Sequence, residues 1–398
     1  MTEAVIVDAV RTPLGKGKAN GALAGVHAVD LLAHPLAALL ERTGVDGELL
    51  DDVIVGTVSQ VGEQGLNVAR RGALAAGYPE RVPATTVDRQ CGSSQQAISF
   101  AAQGVLAGSY DLVVAGGVES MSRVPMGASA VGADDLDGER LAARYPDGFV
   151  PQGVAAELIA AKWDLSRTEL DEFGLRSQEL AAAARDAGRF DHEIAPIKVS
   201  DTEGGLRVVS SDEGIRETSL ERLASLRPAF EHEHWLQRFP QIDWSVTAGT
   251  SSQLTDGAAA VLIASRERAE QLGLPVRARV HTMSVEGDDP LYMLTGVIPV
   301  TKKLLARTGL SIDDIDLFEV NEAFAPVVLA WAKETGADLD RVNVHGGAIA
   351  LGHPLGASGA RLATTLVNAM EQRGARYGLQ VMCEAGGLAN ATLYELPG

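Results

Sequence analysis

Apolar positions in this chain fall into short continuous runs, separated by stretches with helical spacing. Residues 3–10, 52–59, 84–90 and 111–117 read as strands. Residues 29–42 put Leu32, Leu36, Leu39 and Leu40 on one helical face, and Pro35 inside that pattern predicts a helix that starts near it or bends there. After Cys91, the positions Gln96, Ala97, Ile98, Ala101, Val105 and Leu106 keep roughly helical spacing, so the segment reads as strand, sharp turn, helix. From about Met121 to Trp244 the alternation is lost and charged residues are frequent. Helices there look short (155–161, 169–187), and the stretch reads as an inserted, more exposed subdomain. The rhythm then resumes with strands at 276–285, 315–320, 379–383 and 390–396 and a helix near 300–307. Strands alternating with helices predict α/β layers. Both halves end a strand in a cysteine followed by a glycine-bearing turn. That suggests two similar folds facing each other across one site, although the halves share no convincing residue identity.

Composition narrows the possibilities. At 398 residues the chain is too long for one simple core. With 46% apolar and 22% charged residues it has the make-up of a soluble globular protein, and no run reaches the length of a membrane span. The N-terminus enters a strand pattern with neither a basic region nor an apolar signal core, so a cytoplasmic location is expected. A net charge of −19 argues against nucleic acid and anionic membranes, and it means that an anionic substrate would need a local basic patch. Two cysteines exclude a disulfide framework.

Chemistry concentrates in four places. Cys91, in Asp-Arg-Gln-Cys-Gly-Ser-Ser, stands at the predicted N-terminus of a helix, where unpaired N–H groups lower a thiol pKa. Taken alone it is equally readable as a small buried apolar residue. Asn321-Glu322-Ala323-Phe324 puts a polar pair at a strand end. In the glycine-rich run 346–359, Pro354 fixes the turn after His353. Cys383 opens Cys-Glu-Ala-Gly-Gly. Glu231-His232-Glu233-His234 reads as a solvated charged loop, with a metal site as the alternative.

Taken together these motifs resemble the thiolase family, the acetyl-CoA C-acetyltransferases and 3-oxoacyl-CoA thiolases. The resemblance runs nearly end to end. It includes Val-Asp-Ala-Val-Arg-Thr-Pro-Leu-Gly-Lys at 7–16, Gly-Gly-Val-Glu-Ser-Met-Ser at 116–122, Leu-Arg-Pro-Ala-Phe at 226–230 and Thr-Ala-Gly-Thr-Ser-Ser-Gln at 247–253. It implies a five-layer αβαβα fold. The halves would span 1–120 (with 246–270 returning to it) and 271–398, with an inserted loop subdomain over 121–245 covering the site.

The resemblance also implies roles. Cys91 would be the nucleophile that carries an acyl group, His353 its base, and Cys383 the acid and base at the acetyl carbon. One oxyanion hole would use His353 with a water held by Asn321. The other would use the backbone N–H groups of Cys91 and Ala385. The family usually has glycine at the Ala385 position. Ser252, Phe230 and Phe324 would line the CoA arm, and Arg216, a looser match, would face its nucleotide end. Coenzyme A would be a co-substrate, with no tightly bound cofactor and no metal, and the protein a homodimer or homotetramer.

Substrate size reads less directly. Pro151-Gln152-Gly153 and the run 291–299 differ from the short-chain biosynthetic pattern where the acyl chain would lie. That favours cleavage of a 3-oxoacyl-CoA to acetyl-CoA or propionyl-CoA and a shortened acyl-CoA, with larger or steroid-type acyl groups. The alternatives are acetoacetyl-CoA synthesis and, in another class, a non-catalytic acyl-CoA-binding protein on the same fold. The segment between Phe230 and Val246, longer than the family spacing, carries Trp235 and Trp244. It reads as an interface or pocket cover, or as a surface loop anchored by two aromatics.

Overall fold

The structure is a computed structural model that describes residues 2–200 and 205–397. The first half runs β1 (Ala4–Arg11), β2 (Gly15–Lys16), α1 (Ala28–Thr43), β3 (Asp52–Gly56), α2 (Val68–Ala75), β4 (Ala84–Val87), α3 (Ser93–Leu106) and β5 (Leu112–Ser120). There follow α4 (Gly138–Arg144), α5 (Gln152–Lys162), α6 (Arg167–Asp186), β6 (Ile197–Ser200), β7 (Leu206–Val209), α7 (Leu220–Ala224) and α8 (Glu233–Arg238). Next come β8 (Thr255–Ser265) and α9 (Arg266–Gln271). The second half holds β9 (Ala278–Gly287), α10 (Val297–Thr308), β10 (Leu317–Val320), α11 (Ala325–Thr335), α12 (Ala348–Leu351), α13 (Leu355–Arg373), β11 (Tyr377–Glu384) and β12 (Leu388–Glu395).

Ten strands form one sheet in the order β10-β11-β12-β9-β1-β8-β5-β3-β4, with β2 beside β8. Its halves join at two residue pairs only, Val5↔Arg279 and Ile6↔Ala278. In the first half β3 and β5 are parallel, and β8 is antiparallel to both β5 and β1. The second half repeats this pattern. There β10 and β11 are parallel, and β12 is antiparallel to β11 and β9. Val342 bridges Phe318 in parallel and so takes the place beside β10 that β4 has beside β3. The expected duplication is therefore present in the topology, where residue identity did not reveal it.

Side-chain alternation along the strands builds the layers. Leu112 and Val114 of β5 face α1 and α2, while Val113 and Ala115 face α3 and α13. On β11, Leu379 and Val381 face α10 and α11. Gln380, on the opposite face, donates to Gly359 O of α13 at 2.7 Å. Helices α3 and α13 thus form the middle layer of a five-layer αβαβα stack. Every residue of α13 from Leu355 to Met370 is buried, as a helix enclosed on all sides requires. The two central helices touch at Gly359, where a Cβ would stand 2.2 Å from Gln95 N.

Some local expectations change. Helix α1 is unbroken from Ala28 through Pro35, so it does not begin at the proline. Residues 132–140 are exposed as expected, but α5 is buried from Gly153 to Ala160 against α11. The helix expected over 169–187 is α6, which begins two residues earlier at Arg167, behind a capping box made by Ser166 and Glu169. Charged residues in this segment misled because several are satisfied in the interior. Glu157, for instance, accepts from the Ser245 and Val246 N–H groups at 2.9 and 2.8 Å. Trp244 is buried and Trp235 half-buried against the second-half core, so both anchor the longer segment.

Candidate active site

Cys91 stands between β4 and α3, one residue before the Gly92 that caps the helix. The turn that presents it is tight, with Gln90 at φ +49 and the Ser93 hydroxyl donating to Gln90 O at 2.5 Å. Ser93 Oγ in turn accepts from Arg89 N at 3.0 Å. Around the thiol lie Met121, Leu355, Leu362 and Met382, which leave Cys91 3% exposed. This overturns the expected low thiol pKa. Burial pushes Cys91 well above the ordinary thiol range, and the neighbouring Cys383 and Glu384 push the same way. The backbone N–H groups of Ala385 and of Cys91 itself act in the opposite direction. In the resting site a thiolate therefore needs a base.

The residue expected as that base is His353. It sits between α12 and α13, in the second half at the place corresponding to Cys91 in the first. Gly352, at φ +116, makes the turn, and a Cβ there would lie 2.4 Å from Thr255 Oγ1. Thr255 Oγ1 accepts from His353 N at 2.9 Å and holds the turn. The Ser358 hydroxyl donates to Pro354 O at 3.0 Å, so it is an acceptor for His353 Nδ1 at 2.6 Å. The network thus assigns the proton to Nδ1 and leaves Nε2 with a free lone pair. Burial, with help from Arg361, lowers the His353 pKa to about 3, so the imidazole is neutral at working pH.

Asn321, at the end of β10, joins these groups. Its Nδ2 is 3.5 Å from His353 Nε2 and 3.5 Å from Cys383 Sγ. Its Oδ1 is buried without a partner. Cys383, next to last in β11, is fully buried, and burial raises its pKa to about 11 despite the Asn321 hydrogen bond. The two cysteines are also not equivalent in the duplicated fold. Cys91 opens a helix, whereas Cys383 precedes the Ala385-Gly386-Gly387 hairpin loop into β12.

Ala385 stands outside the positive-φ residues, while Gly386 and Gly387 take φ +83 and +76. The turn thus demands glycine at the next two positions and tolerates a side chain at Ala385. Its backbone N–H still acts to lower the Cys91 pKa.

Three of the residues expected to line the CoA arm come together. Phe230 and Phe324 meet edge to face at 5.7 Å, and Ser252 N donates to Ala323 O at 2.9 Å. Arg216 lies two residues after Gly214, which abuts α12 and Gln253. Burial, and after it the charge of Arg222, lower its pKa. Of the loop 231–234, His232 caps α8 by accepting from His234 N at 3.3 Å. No group of metal-ligating side chains forms among the described residues.

The sequence reading missed three supporting residues. Glu119 of β5 accepts from the Val58, Ser59 and Gly356 N–H groups and from Gln64, which clamps the start of α13. Glu322 accepts from Ser177, Asn343 and the Ile349 N–H, tying β10 to α12. Ser358 orients His353. All three fall inside segments singled out above; most partners of Glu119 and Glu322 are remote in sequence, whereas Ser358 reaches His353 only five residues away.

Comparison with known proteins agrees with this geometry. Residues 4–267 match the thiolase N-terminal domain and residues 274–396 the thiolase C-terminal domain. A Mycobacterium tuberculosis protein named steroid 3-ketoacyl-CoA thiolase FadA6 is 50% identical, over 99% of this chain and 94% of its own length. A 3-ketoacyl-CoA thiolase of Aliivibrio fischeri is 46% identical over the whole of both chains. The crystal structure of the Bacillus anthracis acetyl-CoA acetyltransferase superposes with a TM-score of 0.88 at 38% identity, covering 100% of this chain and 99% of that one. This chain belongs to the thiolase family.

Proposed function

We propose that the protein cleaves a 3-oxoacyl-CoA with coenzyme A, giving acetyl-CoA or propionyl-CoA and a shortened acyl-CoA, through an acyl group carried on Cys91. The observation that carries the reading is the bridging position of Asn321 Nδ2, 3.5 Å from both His353 Nε2 and Cys383 Sγ. It supports one substrate facing all three side chains.

His353 Nε2 takes the Cys91 proton, and the thiolate attacks the substrate C3 carbonyl. The oxyanion that forms there meets the Cys91 and Ala385 N–H groups. The C2–C3 bond breaks, its electrons pass to the thioester enolate, and the Cys383 thiol protonates C2. The enolate oxygen is stabilised by the protonated Nε2 of His353, with Asn321 beside it. After the first product leaves, the CoA thiol gives its proton to the Cys383 thiolate and attacks acyl-Cys91. The Cys91 thiolate departs and recovers its proton from His353. Both thiol pKa values are raised by burial, so each thiolate is a strong base and nucleophile that exists only transiently.

Phe230, Phe324 and Ser252 would border the pantetheine arm, and Arg216 would meet CoA phosphate charge. Two features support a bulky acyl group. The relatives named for 3-ketoacyl and steroid 3-ketoacyl substrates are 46–50% identical along the whole chain. In addition, a cavity of about 300 Å³ bordered by Tyr145, Phe149, Arg238, Pro290 and Leu291 adjoins the hairpin after Cys383, with Pro290 Cα 3.1 Å from a Cβ on Gly387. A homodimer or homotetramer in the cytoplasm belongs to the same proposal. The outer edge of β4 is unpaired among the described residues, and Leu66 and Phe100 are 83% and 41% exposed.

Intact mass after incubation with 3-oxoacyl-CoA, followed by peptide mapping, tests the reading. A shortened acyl adduct on Cys91, absent from Cys91→Ser, is expected, and bulky acyl groups should load better than acetyl. Protein that binds CoA yet forms no adduct with any thioester would instead be a binding protein. Faster loading from acetyl-CoA would favour synthesis over cleavage.

A further inference from the structure

Glu384 follows Cys383 directly and has no part in the steps above. Its side chain is fully buried, yet neither carboxyl oxygen has a hydrogen-bond partner. It lies on the backbone behind the nucleophile. A Cβ built on Gly92, the residue after Cys91, would stand 1.8 Å from Glu384 Oε1 and 2.6 Å from its carboxyl carbon. Asn390 converges on the same residue from β12, with Nδ2 donating to Gly92 O at 3.4 Å and Oδ1 unpartnered. The β11–β12 register pairs Met382 with Asn390 and Glu384 with Leu388, so Glu384 and Asn390 point to the same face. Both Glu384 carboxyl oxygens and Asn390 Oδ1 are thus buried without a hydrogen-bond partner beside this turn, and Arg89 Nε nearby is unpartnered as well. A protonated carboxyl supplies a donor, whereas a carboxylate would add charge to an unsatisfied site.

We propose that Glu384 is a positioning residue that works as a neutral acid. Its O–H form props the Gly92 turn beneath Cys91, and its ionisation gates the nucleophile by placing a second negative charge beside the thiolate. The step is a single proton loss to solvent with no co-reactant. The ionisable groups that face Glu384 are few. Arg89 and Asp88, from the end of β4, act on it with opposite signs. Cys91 and Cys383 are both disfavoured as thiolates by its charge. Burial holds the carboxyl well above the usual carboxylate range, consistent with a protonated side chain in the working enzyme. A site with three acidic groups in one low-dielectric space cannot hold a charge on each. Each charge in this space raises the cost of the next, so the protonated form of Glu384 favours ionisation of either thiol.

The inference rests on Cys91 as nucleophile, but its test needs no thioester. The rate of Cys91 alkylation by iodoacetamide, located by peptide mapping, is measured against pH in the whole protein. The wild-type rate should rise with pH, then break as Glu384 ionises. Glu384→Gln should match it on the acid side and exceed it about tenfold on the alkaline side, the effect of one unit of thiol pKa. Glu384→Asp should keep a break. Superimposable profiles for wild type and E384Q overturn the proposal. So does an E384Q rate higher at every pH, which would mean a carboxylate throughout. If E384Q does not fold, a wild-type profile with a single unbroken titration overturns it alone, and a break that moves in E384D supports it. Gated alkylation without any acyl adduct would leave this inference standing while removing the catalytic reading.

Discussion

At the scale of single residues, burial rather than sequence neighbourhood sets the chemistry. A cysteine ahead of a helix suggested a lowered pKa, but Cys91 is enclosed by apolar side chains and pushed upward, while burial keeps the proposed base His353 neutral. The tautomer of that histidine depends on Ser358. Ser358→Ala should lower kcat by less than the roughly 10²- to 10⁴-fold expected for loss of a general base, and leave KM nearly unchanged, as steady-state kinetics would register. An equal fall for S358A and His353→Ala would mean that Ser358 does more than orient the ring. Ala385, the departure from the family pattern, has ordinary negative φ, so Ala385→Gly should leave kcat/KM within a few-fold. A large gain would mean that the methyl group obstructs the hole.

Among the elements, the α12–α13 junction matters most. Gly352 takes φ +116, which side chains rarely adopt, and its missing Cβ makes room for Thr255. Gly352→Ala should cost about 1–3 kcal/mol in denaturant unfolding and lower kcat with it, because Thr255 and His353 must both shift. Wild-type stability and rate in that variant would show that the turn has room to give. Much of this junction was legible in advance, since glycines and Pro354 flank His353. The partners that make it work were not. Ser358, Thr255 and Glu119 are ordinary polar residues, and only folding brings Thr255 and Glu119 to the turn. The α5 element was misjudged for the related reason that charged residues satisfied by buried partners look exposed in sequence.

For the molecule as a whole, buried ionisable pairs tie the first half to the inserted segment and brace the second half internally, beside the short β1–β9 contact between the halves. Arg11 of β1 pairs with Glu193 and Asp212 at 2.7 Å each. Arg361 of α13 lies 3.5 Å from Glu319 of β10. Burial outweighs Arg361 and raises the Glu319 pKa to about 8. The folded state therefore holds this proton more tightly than the unfolded chain. Its contribution is complete below the unfolded value near 4.5 and is lost as pH rises to about 8. Glu319→Gln should remove that loss, so its melting temperature relative to wild type should climb across this window. A constant difference at every pH would put the proton elsewhere.

By itself the sequence determined the α/β layering, the family motifs and the positions of Cys91, Asn321, His353 and Cys383. Those rest on local periodicity and on turns whose glycines and prolines leave a mark in the chain. Tertiary structure alone decided the protonation states of the two thiols and His353, the hydrogen bond that fixes the histidine tautomer, and the placement of Glu384 against Gly92. It also decided the tolerance of Ala385 and the matching topology of the halves. Desolvation and charge coupling depend on what surrounds a group in space, and those surroundings come from segments hundreds of residues apart.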